Sequence, residues 1–126
     1  MAKARVLVVD DEESLRFLLT SELEAEAFEV QSAGDGEEAI EIVRKKIEEK
    51  GKFDVVLLDI RMPKVDGWEV LRFIKSNSPE TKVIMLTAYA DVKNAIESLR
   101  LGASDFISKP YDLDDVLTSI NRALGK

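Results

Sequence analysis

The chain contains no cysteine and no histidine. Without cysteine it forms no disulfide, no thiolate metal site and no thiol nucleophile. Without histidine it forms no histidine-based triad, no zinc site of the usual kind and no phosphohistidine of its own. Also missing is any apolar run long enough to span a bilayer, and Met1 to Val6 carry no signal-peptide pattern, so a cytoplasmic protein with no membrane partner is expected. No low-complexity segment, internal repeat or Pro/Gly/Ser-rich linker interrupts the chain. Positive charge is scarce: 18 Lys and Arg stand against 25 Asp and Glu, a net charge of -7. That balance argues against direct binding of nucleic acid, where affinity rests on neutralising phosphates. Metal cations or basic protein faces suit it better.

What is present is an alternation. The 126 residues, 45% apolar and 34% charged, fit one domain, which at this size buries roughly two thirds of the surface its unfolded chain exposes. "VLVV" (Val6 to Val9), "FDVVLL" (Phe53 to Leu58), "KVIML" (Lys82 to Leu86) and "DFIS" (Asp105 to Ser108) are short apolar runs of the kind found in strands covered on both faces of a parallel sheet. "FEVQS" (Phe28 to Ser32) alternates instead, which suits an edge strand. Between the runs lie helical periodicities: Leu15, Leu18, Leu19 and Leu23; Ala39, Ile40, Val43 and Ile47; Val70, Leu71 and Ile74; Val92, Ala95, Ile96 and Leu99; Leu113, Val116, Leu117, Ile120 and Leu124. Asp35 with Glu38 and Asp66 with Glu69 have capping-box spacing, Asp91 and Asp112 are candidate N-caps, and Gly102 sits where a helix end wants a left-handed residue. Strict strand–helix alternation implies right-handed crossovers and a doubly wound α/β sheet.

In such sheets ligands collect outside the carboxyl ends of the strands. The first run ends at Asp10 and Asp11, the "FDVVLL" run at Asp59, the next at Thr87, and the last at Lys109 followed by Pro110. Singly, each has an ordinary explanation: an Asp after a strand is more often a helix N-cap than a ligand, Thr87 reads as a turn residue, and Lys109 as a solvated charge. Together they form a set. Asp59 ends an apolar run and precedes "IRMPKVDG", a loop marked by Pro63 and Gly67, where a carboxylate does little for stability. Carboxylates about 4 Å apart repel by about 1 kcal/mol in water and about 4 kcal/mol at an effective dielectric of 20, so such a cluster calls for a cation. With only hard oxygen donors, Mg²⁺, Mn²⁺ or Ca²⁺ is selected, and the few carboxylates leave room for the waters Mg²⁺ keeps. A divalent ion, an ammonium, a hydroxyl and a carboxylate nucleophile are the parts needed to move a phosphoryl group.

"VLVVDDEES", "DVVLLDIRMPKVDGWEVL", "VIMLTAYA" and "GASDFISKP", in this order and spread from Arg5 to about Leu124, resemble the signatures of the receiver domain of two-component response regulators. The resemblance implies one receiver domain over residues 1–126, with a flavodoxin-like (βα)5 fold and a five-stranded parallel sheet in the order 2-1-3-4-5. It implies that Asp59 is the phosphoacceptor, taking a phosphoryl group from a sensor histidine kinase or phosphotransfer protein. Asp10, Asp11, Asp59 and the backbone carbonyl of Arg61 would hold Mg²⁺. Thr87 and Lys109 would contact the phosphoryl oxygens, the Lys109–Pro110 bond would be cis, and Thr87 and Phe106 would form the switch. Phe106 stands where the family often has Tyr, so an aromatic rotor remains but its hydroxyl is missing. Arg61 and Tyr89 would lie at the mouth of the site and tune attack of water on the aspartyl phosphate.

On this reading the chain is a phosphoacceptor that assists its own phosphorylation and dephosphorylation, rather than an enzyme, and it controls an output partner or domain through the face of the fourth helix, fifth strand and fifth helix. The alternative is a pseudo-receiver that only docks proteins, a type that tends to lose the acceptor, the acidic pair or the lysine; all are present here. A flavodoxin would need a hydroxyl- and glycine-rich phosphate loop where "DDEES" stands, and a haloacid-dehalogenase-type hydrolase an Asp-x-Asp pair that neither "VDDEE" nor "LDIRMP" supplies. The length leaves no room for an output domain, so the expectation is a free-standing regulator or the receiver portion of a larger protein.

Overall fold

The structure, a computed structural model, describes residues 3–60, 62, 65–88 and 92–126. Strands and helices alternate along it: β1 (Arg5–Val9), α1 (Glu13–Ala25), β2 (Glu29–Ala33), α2 (Gly36–Glu48), β3 (Val55–Asp59), α3 (Gly67–Asn77), β4 (Lys82–Thr87), α4 (Val92–Arg100), β5 (Asp105–Ser108) and α5 (Leu113–Ala123). All pairings are parallel, and the five strands form one sheet in the order β2-β1-β3-β4-β5. The expected fold and strand order are therefore both found.

Period-two alternation splits the apolar strand residues between two cores. Leu7, Val9, Val56, Leu58, Val83 and Met85 face α2 and α3, packing on Ala39, Val43, Val70, Leu71 and Ile74. Val6, Val8, Val55, Leu57, Ile84 and Leu86 face α1 and α5, packing on Leu19, Leu23, Val116 and Ile120. β1, β3 and β4 are covered on both sides, which is why their sequences read as unbroken apolar runs. β2 is an edge strand, as its alternation indicates. β5 forms the other edge, as the expected order requires, but its residues are half-buried or exposed rather than covered on both faces as its apolar run suggests. β3 starts at Val55 rather than Phe53, and the Phe53 carbonyl accepts a hydrogen bond from the Thr81 hydroxyl (2.8 Å).

Capping chemistry sets the helix ends. Asp35 accepts from the Glu38 N–H (2.7 Å) and Asp66 from the Glu69 N–H (3.1 Å). Glu38, however, reaches past its own cap residue to the Gly34 N–H (2.7 Å). Asp112 and Asp115 make the reciprocal box at the start of α5. Gly102 has φ +102° after α4, the left-handed stop the sequence suggests. Asp91, the remaining candidate cap, lies outside the described residues.

Two helical stripes are less buried than their periodicity implies. Leu18 on α1 and Ile96 and Leu99 on α4 are more than half exposed, as is Phe17. α1 contacts the edge strand β2, and α4 contacts the edge strand β5. Beyond an edge there is no further strand to cover the outer flank of the helix.

The loop that follows β3 is seated through residues without side chains. The Gly67 N–H donates to the Ile60 carbonyl (2.8 Å), and a Cβ on Gly67 would lie 2.5 Å from the Asp59 carbonyl oxygen and 2.7 Å from Ile60 Cα. Both neighbours are backbone, so neither moves cheaply. Gly67→Ala is therefore expected to destabilise the fold by about 1–3 kcal/mol, the usual cost of overpacking. A urea midpoint equal to that of the parent would show that this close approach does not exist.

Candidate functional site

The parallel sheet delivers the candidate residues to one rim. β1 and β3 are neighbours at its centre, so Asp10, directly after β1, and Asp59, the last residue of β3, emerge side by side. Both are buried, whereas Asp11 is exposed. The three carboxylates each offer an oxygen, and these oxygens lie within 4.8 Å of one another.

Neither aspartate of the pair caps α1. The cap residue is Glu12, which makes no side-chain cap bond. Instead Asp10 Oδ1 accepts from the Glu12 N–H (2.9 Å), the Asp10 N–H donates to the Ala33 carbonyl (3.2 Å), and the Asp10 carbonyl accepts from Arg16 Nη1 (2.8 Å). The ordinary explanation of these residues as caps thus fails, and their carboxylates remain to be accounted for.

Lys109 closes the cluster from the far side of the sheet. Its Nζ donates to Asp10 Oδ2 (2.8 Å) and to Asp59 Oδ2 (3.3 Å), with only 13% of its side chain exposed. It is not the solvated surface charge that a lone lysine suggests. Burial pulls its pKa down, but the hydrogen bond it donates to Asp10 and the charges of Asp59 and Asp10 outweigh burial and raise it above 10.5. A raised folded-state pKa stabilises the fold fully below the unfolded value of 10.5, and that contribution is lost as pH rises through the higher folded value. Lys109 is thus charged throughout the neutral range.

Thr87 ends β4 and is fully buried. Its carbonyl accepts from the Lys109 N–H (2.7 Å), which ties the lysine's backbone to this strand, and the Lys109–Pro110 peptide is cis as the resemblance implies. Phe106 on β5 is half-buried, pairs in register with Met85, and packs against the core on the α2 and α3 side. Arg61 and Tyr89, expected at the mouth of the site, lie outside the described residues.

Sequence reasoning missed Tyr111. Its hydroxyl is buried without a hydrogen-bonding partner among the described residues, and its pKa is pushed up to about 12. Burial is the main cause, with the negative charge of Asp10 next, partly offset by Lys109. Its place directly after Lys109 and Pro110 was the available signal. Arg16, noticeable in the sequence only as the first basic residue after four acidic ones, is the other.

The donor set suits a hard divalent cation. Three carboxylates converge without histidine or cysteine, two of them already desolvated, and Lys109 pairs with those two. Chemically, the arrangement pairs a buried carboxylate at a strand end with a fixed ammonium and a place for a metal.

Known proteins are similar to this chain in sequence and in fold. Residues 6–121 match the family model described as the response regulator receiver domain. Over 120 residues the chain is 41% identical to the regulatory protein AtoC of Escherichia coli (strain K12); the match covers 95% of this chain and 25% of that protein, so the chain spans about a quarter of that relative's length. A crystal structure of a response regulator receiver domain protein from Clostridium thermocellum superposes with a TM-score of 0.86 at 35% identity, covering 97% of this chain and 94% of the other. A chain of the CheX–CheY–BeF3–Mg²⁺ complex from Borrelia burgdorferi gives a TM-score of 0.91 at 33% identity, covering 99% and 92%. Among the described residues no helix is long and apolar enough to cross a membrane.

The metal-free cluster makes a prediction that separates its members. Asp11 is exposed and adds repulsion, while Asp10 anchors both Lys109 and the Glu12 N–H. In metal-free buffer Asp11→Asn should raise the melting temperature slightly, and Asp10→Ala should lower it, because it takes the shorter of two ion pairs from a buried ammonium and releases the Glu12 N–H. Equal shifts in both variants would contradict the arrangement.

Proposed function

Because the chain belongs to the response regulator receiver domain family, we propose that it receives a phosphoryl group on Asp59 from a phosphohistidine of a sensor kinase or phosphotransfer protein, and relays that event to an output partner or domain. The observation that carries this reading is the convergence of Asp10, Asp11 and Asp59 around Lys109 at the carboxyl rim of the sheet. A pseudo-receiver would have no need of that cluster.

In the transfer, a carboxylate oxygen of Asp59 forms a bond to phosphorus as the phosphorus–nitrogen bond to the donor imidazole breaks. Asp59 is desolvated at its strand end, and β3–β4 pairing together with Gly67 against its carbonyl fixes its backbone. Positioning of this kind is much of what phosphoryl transfer requires. Lys109 holds its ammonium 3.3 Å from Asp59 Oδ2, where it attracts the incoming anion and steadies charge on the phosphoryl oxygens. Asp10 keeps that ammonium in place. Asp10, Asp11 and Asp59, with the carbonyl of Arg61, would hold Mg²⁺, which when bound neutralises the carboxylates and the phosphoryl group.

Readout begins at Thr87. By strand alternation it continues the series Val83 and Met85, the face on which Phe106 packs. When the Thr87 hydroxyl moves toward the phosphoryl oxygens, the space it leaves lies on the side of the Phe106 ring. Turning inward, that ring gains apolar burial of about 1–3 kcal/mol, enough to shift a two-state population without making it all-or-none. The altered surface is that of α4, β5 and α5, on which Ile96 and Leu99 already stand exposed.

Two experiments test the proposal. Asp59→Asn should incorporate no phosphate from a phosphorylated kinase or a small acyl phosphate, and the parent none once Mg²⁺ is chelated. Undiminished modification in intact-mass spectra would remove Asp59 from the role. Thr87→Ala should still accept phosphate, more slowly, yet largely lose the amide chemical-shift changes that a beryllofluoride mimic induces at Phe106 and across residues 92–101. Parent-like shifts in that variant would exclude Thr87 as the coupling residue.

A further inference from the structure

Arg16 serves none of the steps above, yet it touches the site's backbone. From α1 its guanidinium folds back over the turn that precedes the helix, and Nη1 donates to the Asp10 carbonyl (2.8 Å). The same group lies against Gly34, at the junction of β2 and α2: a Cβ there would meet Nη1 at 3.0 Å, Cζ at 3.5 Å and Nη2 at 3.7 Å. The Asp10 N–H donates to Ala33, the residue before Gly34. Both peptide groups of Asp10 are therefore referred to one turn, its N–H directly and its carbonyl through Arg16. Asp10 Oδ1 in turn holds the Glu12 N–H, which fixes the short turn that carries Asp11.

We propose that Arg16 is a positioning residue for the metal site: it clamps the Asp10–Asp11 turn against the β2–α2 junction so that the acidic pair is set before a cation arrives, and Gly34 is bare because the guanidinium needs that seat. This rests on reading Asp10, Asp11 and Asp59 as the Mg²⁺ ligands. Two effects of Arg16 oppose each other. As a positive charge it repels the cation; as a clamp it spares the cation the cost of ordering its ligands. The guanidinium is only partly buried, so water and salt screen its longer-range repulsion of the cation, whereas its hydrogen bond to the Asp10 carbonyl acts at contact distance, where ionic screening is weak. The clamp should win. A lysine would keep the charge but replace a flat fork with a single point donor on a flexible stem.

The opposed signs make the test decisive. Mg²⁺ titrations by calorimetry would compare the full chain with Arg16→Met, Arg16→Lys, Gly34→Ala and the double variant Arg16→Met/Gly34→Ala. Arg16→Met should weaken Mg²⁺ binding about tenfold although it removes a repelling charge, as loss of groups that orient metal ligands does. Arg16→Lys should fall between it and the parent. Gly34→Ala should weaken binding severalfold alone and add nothing once Arg16 is gone, the non-additivity expected of a shared contact. Should Arg16→Met fail to fold, Arg16→Lys and Gly34→Ala carry the same comparison. Unchanged or tighter binding in the Arg16 variants, or a Gly34→Ala effect that persists without Arg16, overturns the clamp while leaving the metal site intact. A parent protein that binds no Mg²⁺ removes both.

Discussion

Mutual repulsion of carboxylates at the centre of the sheet is the constraint around which the rest of the molecule is arranged. β1 and β3 must be adjacent for Asp10 and Asp59 to meet, and adjacency desolvates both. The counter-charge comes from β5, two strands beyond β3. At a spacing of about 4.8 Å per strand, that is about 10 Å from β3 and about 14 Å from β1. A long side chain is needed to carry an ammonium over that distance, and Lys109, directly after β5, supplies it. The bond from the Lys109 N–H to the Thr87 carbonyl and the packing of Tyr111, Leu113 and Leu117 on the α1 and α5 side hold that segment where it is needed. Each partner is therefore meaningful only through the others, though Asp10 and Lys109 lie 99 residues apart.

How much of this could be read from the sequence follows from what each residue touches. The three central strands were legible because burial on both faces leaves an unbroken apolar run, and β2 because one open face leaves an alternation. β5 takes the edge place that the expected strand order gives it, but its run suggests burial it lacks: four residues with two central apolar ones look the same whether the strand is central or at an edge. The stripes of α1 and α4 show periodicity without full burial, since a pattern records which face a helix turns inward and not how far the sheet extends beneath it. Three acidic residues at two strand ends, a threonine at a third and a lysine at a fourth were visible one by one. That they form one cluster required either the strand order or the family resemblance, because nothing local links them.

Arg16 and Gly34 were not legible for a different reason. Their partner is a carbonyl, which every residue possesses, so no side-chain pairing rule marks it. Gly67 and Gly36 belong to the same class. A Cβ on Gly36 would fall 2.2 Å from the Val65 carbonyl oxygen, so this second bare position, at the start of α2, seats the same loop from the other side. Glycine in the sequence announces only that a side chain is missing. What stands in its place, a guanidinium at Gly34 and backbone at the other two, appears once the fold is assembled.

The sheet also separates the chemistry from its readout. Continuing the alternation of the strands, Asp10 follows Val8, Asp59 follows Leu57 and Lys109 follows Ile107, all on the α1 and α5 side, where the observed ion pairs join them. Thr87 follows Met85 on the opposite side, the side of Phe106. On the proposed function the two events must therefore communicate through the rim of β4 and not through either core. Thr87 suits that task because it is short and fully buried, and because its own carbonyl already holds the Lys109 backbone. A displacement of the hydroxyl toward one face vacates volume on the other, and a close-packed interior does not leave such a volume empty when an aromatic ring two residues along the neighbouring strand is able to fill it. A local change of charge thereby becomes a change of shape at the β5 edge, where the sheet has no further strand to absorb it.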